Sequence, residues 1–596
     1  MRIKRRISAI PVMIFMSTFS AWAQSFTGFT PGNLVVSRSV YQGTASTVTV
    51  GEQLPPNCSS TNASAGSCVT AVANGAYPGV FANAPVDGSF GVSSPVFLDQ
   101  MTTGGTLINT LAIDPTRFVT SFSSKSELAV NLSTDGTALT FMGYTLGPGN
   151  TTSMVNALDI SNSNTPGIVD PTNPVAGPSY YRGVAQVNAA GALTVTETDA
   201  YTGDNSRAAI LANGLYYTVG NDNNGSQSPI PANIYASTGA EVVVPNTAPV
   251  VPVYMIDPTL VTHSGDKAGK DSNFRGLTIS PNGTLYVTKG SGSNGIDTIY
   301  QVGSAGTLPT AATAAATAIS IPSGFPTALA KGAGITNYFP FGIWFANANT
   351  LYVADEGDGT LADAGNSRLA GLQKWIFNGT SWSLTYVLQN GLNLGQQYSV
   401  PNYPTSLNPA PAGLRNITGR VNADGTATIW AITATVSTNG DQGADPNQLV
   451  TITDVVANTS ASAAANEPFI LLETAAYGAV LRGVSFTPGT VAPTPAPSLA
   501  VTSSALVYSR ASHTYDGTIS ILNNGTTTAT GPYSVELTSL TAGVTLTGAK
   551  NIGGYQAVTV VPSGTTLQPG QSASVAVSFS DASNATITFT PVVVAQ

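Results

Sequence analysis

Short runs of alternating or β-branched apolar residues recur along most of the chain, and each ends at an Asn-Gly, Asp-Gly or Gly-rich turn. No stretch shows the spacing of apolar residues that an amphipathic helix requires. Short strands separated by tight turns are typical of all-β proteins. The pattern therefore predicts an all-β fold of many short strands, and the 61 glycines and 38 prolines among the 596 residues agree with it.

One unit of this pattern recurs six times: an apolar strand, a tight turn and a second strand. The complete units continue with two further strand-like runs, and four strands per repeated unit is the pattern of a propeller blade. Aligning the units places one residue of each in a single column at the first strand. These column residues are Leu128, Arg207, Arg275, Phe341, Ile417 and Arg482.

The sixth unit contains only its first strand, Leu481–Phe486, before the repeats end. Three unassigned strand-like runs lie near the N-terminus and start at Asn33, Ser94 and Thr106. We therefore predict a six-bladed β-propeller that is closed by N-terminal strands, because closure removes exposed sheet edges. Two stacked sandwiches of irregular strands are the alternative.

A Pro-rich segment, TPGTVAPTPAPS, separates the repeats from the rest of the chain. Segments of this composition are extended, semi-rigid linkers. The region after it contains alternating runs separated by turns such as Asn524-Gly525, which predicts an Ig-like β-sandwich. The predicted domains are a signal peptide at 1–23, the propeller at 24–487, the linker at 488–498 and the sandwich at 499–596.

The first 23 residues combine a basic stretch, an apolar stretch and the motif Ala21-Trp22-Ala23. This is the pattern of a secretory signal peptide, and we place the cleavage site after Ala23. An uncleaved anchor is the alternative, but the apolar stretch is shorter than the ~20 residues of a membrane helix. No other apolar stretch is long enough to span a membrane. We therefore expect an exported protein that is secreted or stays in the periplasm or at the cell surface.

Charged residues make up only 9% of the chain, and removal of four basic residues with the signal peptide changes the formal net charge from −9 to −13. Such a chain lacks the basic surface that nucleic-acid binding requires. The predicted partner is therefore an extracellular glycan or a protein, not nucleic acid, and we expect a monomer.

Two cysteines, Cys58 and Cys68, flank a Ser/Ala/Gly-rich loop. An exported protein meets an oxidising compartment, so we predict a local disulfide between them. The alternative is two free thiols or metal ligands, but no further Cys or His lies nearby in the sequence.

Two repeats, RGLTISPNGTLYVTKG and PFGIWFANANTLYVADEG, resemble NHL-type repeats. That family pairs a Gly-containing first strand with a Leu-Tyr-Val-Ala-Asp strand, which Tyr286-Val287 and Tyr352–Asp355 match. The whole chain is also similar to uncharacterised exported bacterial propeller proteins, and its C-terminal region resembles modules that act as spacers or attachment points. The resemblance implies a six-bladed propeller but no single reaction, because scaffold proteins, ligand-binding proteins and calcium-dependent lactonases share this architecture.

In a propeller, the start of each first strand and the end of each second strand lie on one face. Arginines on this face would bind a ligand carboxylate, phosphate or sulfate, since guanidinium groups bind such anions bidentately. The alternative is a ring of structural ion pairs between these arginines and acidic residues of neighbouring strands. The predicted ligand-binding residues are Arg207, Arg275, Arg482 and Lys289, with Arg415 on the same side.

Acidic residues at the end of one second strand are candidates for catalysis. Asp355, Glu356 and the loop residue His263 are candidate general bases, and a surface loop histidine is the alternative for His263. Asp355, Asp358 and Asp363 are candidate calcium ligands, because carboxylate oxygens bind this ion. Their spacing does not match an EF-hand loop, and solvated turn residues are the alternative.

These observations predict an exported binding protein whose propeller face recognises an extracellular ligand, such as a polysaccharide or another cell-surface component. The alternative is a metal-dependent hydrolase or lactonase-like enzyme with its site at the central mouth of the propeller. The positions of the charged side chains distinguish the two functions, because an enzyme needs a carboxylate and a cation or arginine around one open pocket. The sequence does not decide whether the protein is an enzyme.

Overall fold

A computed structural model gives the fold of most of the chain. The predicted signal peptide, Cys58, Cys68 and His263 lie outside the described residues, so the cleavage, the disulfide and the role of His263 remain predictions. The described residues are 26–54, 69–83, 91–168, 178–221, 239–245, 253–255, 273–290, 295–329, 332, 334–422, 424–490, 499–525, 528–552, 555–581 and 585–595.

Seven strands precede the first complete repeat. They are β1 (Leu34–Val40), β2 (Gln53–Leu54), β3 (Val69–Thr70), β4 (Ser93–Ser94), β5 (Val96–Met101), β6 (Leu107–Ala112) and β7 (Thr120–Ser121). The repeats contribute the next strands. They are β8 (Asn131–Leu132), β9 (Ala138–Thr145), β10 (Tyr181–Asn188), β11 (Leu193–Thr198), β12 (Ser206–Ala212), β13 (Leu215–Gly220), β14 (Ala240–Val243), β15 (Val253–Met255), β16 (Leu277–Ile279), β17 (Leu285–Lys289), β18 (Thr298–Val302), β19 (Ile319–Ser320), β20 (Pro340–Asn347), β21 (Thr350–Asp355), β22 (Gly371–Phe377), β23 (Trp382–Leu388), β24 (Ala410–Val421), β25 (Thr426–Val436), β26 (Gln448–Val455), β27 (Ile470–Thr474) and β28 (Ala479–Phe486).

Six four-stranded antiparallel sheets are found in the described part of residues 26–490. Sheet 1 contains β28, β1, β5 and β6 in that order. Sheets 2 to 6 are meanders in chain order, formed by β8–β11, β12–β15, β16–β19, β20–β23 and β24–β27. The predicted all-β character of this region is confirmed.

Sheet 1 joins the two ends of the repeat region. Strand β1 pairs with β28, with Leu34 opposite Phe486 and Val40 opposite Ala479, and its other edge pairs with β5. The predicted pairing of the three N-terminal runs with the last strand of the repeats is therefore confirmed. This pairing covers strand edges that would otherwise be open to other chains.

The first strands of the six sheets contact one another in a closed cycle that runs β8, β12, β16, β20, β24, β28 and back to β8. Glycine permits this close approach: at Gly276, Gly342 and Gly483 a Cβ atom would collide with the backbone of the next first strand. The fold of the repeat region is therefore propeller-like, with sheets arranged around their first strands.

The cycle corrects one position of the sequence alignment. Gly276 faces the carbonyl oxygen of Phe341, and Gly342 faces that of Arg415 in the same way. Arg415 therefore occupies the column position that the alignment gave to Ile417, and that assignment is wrong. The register between β24 and β25 shifts between Leu414 and Ile417, and such an irregularity offsets one strand against its neighbours.

Apolar side chains from neighbouring sheets fill the space between them. Between sheets 5 and 6 the buried cluster includes Tyr352, Leu372, Leu414 and Ile429. Burial of such side chains is the main force that holds successive sheets together.

An aromatic cluster covers one sector of the first-strand ring. Residues Tyr41, Tyr77 and Phe81 from the segment after β1 pack against Phe122 and Tyr403. The hydroxyl group of Tyr77 donates to the carbonyl oxygen of Ala444 at 2.9 Å. The segment that follows β1 therefore acts as a cap over part of the ring, which the sequence pattern did not predict.

Helix is scarce among the described residues. The α-helix found there, α1, spans Leu361–Ala364, and 3-10 turns span Gly79–Asn83, Ile160–Asn162, Ala314–Ala316 and Thr405–Leu407. None of the helices in the described part of the chain is long and apolar enough to cross a membrane.

The C-terminal region forms two main antiparallel sheets around a single apolar core. Its strands are β29 (Leu499–Ser503), β30 (Val507–Ser509), β31 (Thr514–Asn523), β32 (Ala529–Thr530), β33 (Tyr533–Thr538), β34 (Val544–Leu546), β35 (Lys550–Ile552), β36 (Tyr555–Val561), β37 (Thr566–Leu567), β38 (Ser572–Asp581) and β39 (Thr590–Ala595). One sheet has the order β29-β31-β38-β34, with β30 paired to β31, and the other has the order β35-β36-β33-β39.

Candidate functional site

Charged side chains gather where the first strands of the sheets meet. Arginines stand at the column position in sheets 3, 4, 6 and 1, and acidic residues lie between them. We call this group the charged layer. Its members are Lys125, Glu127, Arg207, Arg275, Glu356, Arg415, Asp441 and Arg482.

Arg415 is held by structural ion pairs. Its Nε atom lies 2.9 Å from Oε2 of Glu356, and its Nη2 atom lies 2.9 Å from both carboxylate oxygens of Asp441. Burial alone lowers the pKa of Arg415, but the two carboxylates outweigh burial and raise it above its ordinary value. Burial likewise raises the pKa of Asp441, but Arg415 and Lys125 outweigh burial and lower it to about 2. This part of the layer fits the structural alternative.

Arg482 is engaged by the backbone. Its Nη1 atom donates to the carbonyl oxygen of Ser124 at 2.7 Å, its Nη2 atom donates to that of Phe122, and its Nε atom donates to Oγ of Ser39 at 3.2 Å. Burial, followed by the nearby charge of Arg415, lowers the pKa of Arg482 to about 9. Arg482 therefore ties sheet 1 to the turn before sheet 2.

Arg207 and Arg275 differ from both, because no carboxylate of the described chain lies within ion-pair distance of either. The Nη1 atom of Arg207 donates to the carbonyl oxygen of Phe274 at 2.7 Å and to the side chain of Asn273. The Nη1 atom of Arg275 donates to Oγ of Ser126 at 2.8 Å. The Nε atoms of both arginines are buried and donate to nothing.

Arg207 and Arg275 lie close enough for the charge of one to affect the pKa of the other. Burial lowers the pKa of Arg207 well below its ordinary value, and the charge of Arg275 lowers it further. Burial also lowers the pKa of Arg275, although Glu356 opposes this from a longer distance. Two guanidinium groups with unused donors therefore lie together, and an anion placed between them would relieve their repulsion.

Lys289, the fourth predicted ligand-binding residue, is fully buried and paired. Its Nζ atom lies 2.7 Å from Oδ1 of Asp297, which is also buried. Burial raises the pKa of Asp297 to about 6, although Lys289 opposes this. The lysine, at the end of β17, therefore neutralises a buried carboxyl group directly before β18.

Asp355, a predicted base and metal ligand, is fully buried and makes only internal contacts. Its carboxylate accepts hydrogen bonds from the backbone N–H groups of Phe339 and Gly357 at 2.8 and 3.0 Å, and from Nε2 of Gln373 at 2.9 Å. Burial raises the pKa of Asp355 to about 8. The neighbouring candidate base, Glu356, is held by Arg415.

Asp358 and Asp363 lie near each other at the start of α1. Oδ1 of Asp358 accepts from the backbone N–H of Thr360 at 3.0 Å, and Oδ2 is buried without a hydrogen-bond partner. Burial and the charge of Asp363 raise the pKa of Asp358. Within the described residues, no three His, Cys, Asp or Glu side chains are grouped as metal ligands, so the calcium site remains a prediction.

The sequence analysis did not place Lys125, Glu127 or Asp441 in this layer. Glu127 is fully buried and accepts hydrogen bonds from Thr120, Asn205 and Tyr144, so it is a structural carboxylate. Asp441 comes from a loop after β25. The only available signal for Glu127 was its place beside the column residue Leu128.

No protein-family model matches the chain, and no curated protein matches it. One similar solved structure is a glycoside hydrolase family 43 arabinoxylan arabinofuranohydrolase from Bacillus subtilis in complex with cellotetraose, with 11% identity, a TM-score of 0.27 and coverage of 80% of this chain and 96% of that chain. Another, described as NanB plus Optactamide, has 9% identity, a TM-score of 0.11 and coverage of 72% of this chain and 51% of that chain. TM-scores this low carry no conclusion about the ligand or reaction of this chain.

Proposed function

We propose that this protein is an exported binding protein whose propeller-like region recognises an acidic extracellular glycan through Arg207 and Arg275. The observation that carries the proposal is the pair of arginines without a carboxylate partner in the described chain, each with a buried Nε donor that is unused. Arg415, which has carboxylate partners, shows how the same layer neutralises an arginine that has a structural role.

The chemistry of the arginine pair favours a ligand carboxylate. A guanidinium group presents parallel N–H donors that match the two oxygens of a carboxylate, and two such groups can bind the same carboxylate. The hydroxyl group of Ser126 and the amide group of Asn273 contact the two arginines and are further polar groups beside them. A uronic acid residue of a polysaccharide offers both a carboxylate and hydroxyl groups.

The finer architecture is part of this proposal. Sheets 1 to 6 correspond to the six blades of a β-propeller, and the closed cycle of their first strands supports this. The C-terminal sheets correspond to an Ig-like sandwich that spaces or attaches the propeller, with a signal peptide at 1–23, propeller limits of 24–487 and a linker at 488–498. The shared apolar core of the two C-terminal sheets supports a separate sandwich.

Binding of a polyuronate tests the proposal. Titration calorimetry of the full mature chain would compare a polyuronate, its methyl ester, a sulfated polysaccharide and a neutral polysaccharide. We expect the polyuronate to bind and the ester and the neutral polymer not to bind, since only the free acid offers carboxylates. If only the sulfated polymer binds, the arginine pair remains the proposed site, but its ligand is a sulfated glycan and not a uronic acid.

Arg275→Gln is the decisive variant, because it removes a charge-assisted contact worth about 1.5–3 kcal/mol and should weaken binding by at least about tenfold. Arg117→Gln is the matched control, since Arg117 lies exposed and donates to the carbonyl oxygen of Leu193 away from the charged layer. Binding of Arg275→Gln that equals the wild type, or no binding of any acidic polymer, would contradict the proposal.

A further inference from the structure

A second charged cluster lies between sheets 5 and 6, apart from the arginine pair. Lys374 of β22 and Asp454 of β26 form an ion pair in which Nζ lies 2.8 Å from Oδ2, and both side chains are completely shielded from solvent, with 0% exposure each. A buried lysine–aspartate pair contributes little net stability, because the desolvation of both charges offsets their attraction. Its presence in an otherwise apolar space therefore calls for a chemical explanation.

Two tyrosines fix the position of the reacting groups. The hydroxyl group of Tyr386 donates to Oδ1 of Asp454 at 2.7 Å, and the hydroxyl group of Tyr352 donates to Oδ2. Nζ of Lys374 donates to the hydroxyl oxygen of Tyr386 at 2.8 Å and to the carbonyl oxygen of Val455 at 2.9 Å. The amine and the carboxyl group therefore cannot turn away from each other without breaking these contacts.

Glu467 completes the cluster. Its Oε1 atom accepts from the backbone N–H of Val455 at 3.3 Å and from Nδ2 of Asn458 at 3.1 Å, whereas its Oε2 atom is buried and receives no donor. Burial, together with a hydrogen bond to Asp454, raises the pKa of Glu467 to about 7. A carboxyl group whose pKa lies near neutrality can both take and return a proton, so Glu467 is suited to carry protons beside Asp454.

Amide formation between a lysine and an aspartate needs an uncharged amine next to the carboxyl carbon, a group that carries protons and a dry site. Burial lowers the pKa of Lys374, which favours the uncharged amine. Because Cγ of Asp454 is bonded to the oxygen 2.8 Å from Nζ, the two reacting atoms lie within about 4 Å of each other, close to the ~3–3.5 Å of reactive geometries.

We propose that Lys374 and Asp454 join in an intramolecular isopeptide bond, with Glu467 as the proton carrier. One proton first passes from the lysine ammonium to the aspartate, which leaves an amine and a carboxylic acid. Nζ then attacks Cγ, the new C–N bond forms, and the C–O bond to one carboxyl oxygen breaks. Glu467 takes a proton from Nζ and returns a proton to the departing oxygen, so that one water molecule leaves and Glu467 ends unchanged.

The bond converts two buried charges into one neutral amide and releases the water to solvent, which removes the desolvation penalty of the ion pair. It also joins the third strands of two successive sheets covalently. Like a disulfide that closes a long loop, such a bond restricts the unfolded chain and stabilises the folded one. The inference is independent of the proposed ligand, because none of these residues belongs to the charged layer.

The mass of the purified full mature chain tests the inference directly. After reduction and denaturation, we expect the wild-type chain to be lighter than its sequence by one water molecule. Protease digestion should yield a branched peptide that contains Lys374 and Asp454. A folded wild-type chain with the unmodified mass, or a lost water that maps to other residues, would overturn the inference.

Variants separate the reaction from folding. Glu467→Gln keeps the lysine and the aspartate, and we expect it to fold, as judged by circular dichroism. Because the proton carrier is absent, most of the Glu467→Gln chains should keep the unmodified mass. Lys374→Met should abolish the loss of water. Lys550→Met is the matched control: Lys550 lies exposed on β35, so this variant should lose one water molecule as the wild type does. A complete water loss in Lys374→Met would refute the assignment.

Discussion

Arg275 and Arg415 hold equivalent positions in the ring of first strands, one in sheet 4 and the other in sheet 6, yet their surroundings differ. Arg415 makes three hydrogen bonds to the carboxylates of Glu356 and Asp441. Among the described residues, the side chain of Arg275 makes one hydrogen bond, to the hydroxyl group of Ser126, and its Nε atom is unused. The pKa of Arg415 is raised and that of Arg275 is lowered.

The difference comes from the preceding sheet. Strands β13 and β21 both contain Leu-Tyr, at Leu215-Tyr216 and Leu351-Tyr352. Aligned on this pair, Glu356 follows the second strand of sheet 5 at the position that Gly220 holds in sheet 3. Arg415 therefore has a carboxylate partner from the preceding sheet, whereas the equivalent position in the sheet that precedes Arg275 is a glycine and offers no carboxylate. Equivalent positions in a repeat can hold an arginine paired with carboxylates in one sheet and, in another, an arginine with no carboxylate partner in the described chain.

Removal of Arg415 should have the largest effect on stability. Arg415→Gln leaves the buried carboxylates of Glu356 and Asp441 without their main partner, and breaking one half of a buried ion pair costs about 3–5 kcal/mol. Urea unfolding followed by fluorescence would measure this loss. Arg117→Gln is the surface control, for which we expect a change within about 0.5 kcal/mol. A similar small change in Arg415→Gln would remove the distinction between the two arginines.

The strand order was predictable because it rests on local patterns. Alternating apolar residues marked the strands, and the incomplete last repeat required partners for Leu481–Phe486, which the N-terminal runs supply. The alignment failed at Ile417, because a register irregularity is invisible to a pattern that assumes regular alternation. The aromatic cap from Tyr41 to Phe81 was also missed, since its contacts are made by loops without periodicity.

The candidate site was predictable in composition but not in pairing. The repeat column placed the arginines on one face, and the structure gathers them there. The sequence did not show that Asp441, from a distant loop, would bind Arg415, nor that Lys289 would be paired with Asp297. Pairing depends on the tertiary position of single loop residues, which no short motif encodes.

Asp441 of the charged layer and Asp297, the partner of Lys289, should make the free energy of unfolding respond to pH in opposite directions. Asp441 has a pKa lowered from 3.8 to about 2, so its stabilising effect is complete above the unfolded value and is lost as the pH falls through the folded one. Asp297 has a pKa raised from 3.8 to about 6, so the folded chain keeps a proton that the unfolded chain has released. The free energy of unfolding should therefore fall between pH 4 and 6, by roughly 2–3 kcal/mol for this group.

Urea unfolding at intervals between pH 4 and 7 would measure this slope. Asp355 and Asp445, whose pKa values are raised to about 8 and about 6 by burial, contribute in the same direction. Asp297→Asn should therefore flatten the slope in part, not abolish it. An unchanged slope in this variant would assign the effect to the other carboxyl groups whose pKa values are raised, Glu467 among them.

Removal of Arg275 should have the smallest effect on stability, and the result decides whether Arg275 is a structural residue. Arg275→Met loses one hydrogen bond, worth about 1 kcal/mol, but also removes a buried cation that has no carboxylate partner in the described chain. These contributions oppose each other, so we expect the free energy of unfolding to change by no more than about 1 kcal/mol. Arg482→Met, which leaves two backbone carbonyl groups without donors, should be less stable than Arg275→Met. If Arg275→Met instead loses as much stability as Arg415→Gln, Arg275 is a structural residue, and the arginine pair is no longer a candidate for ligand binding.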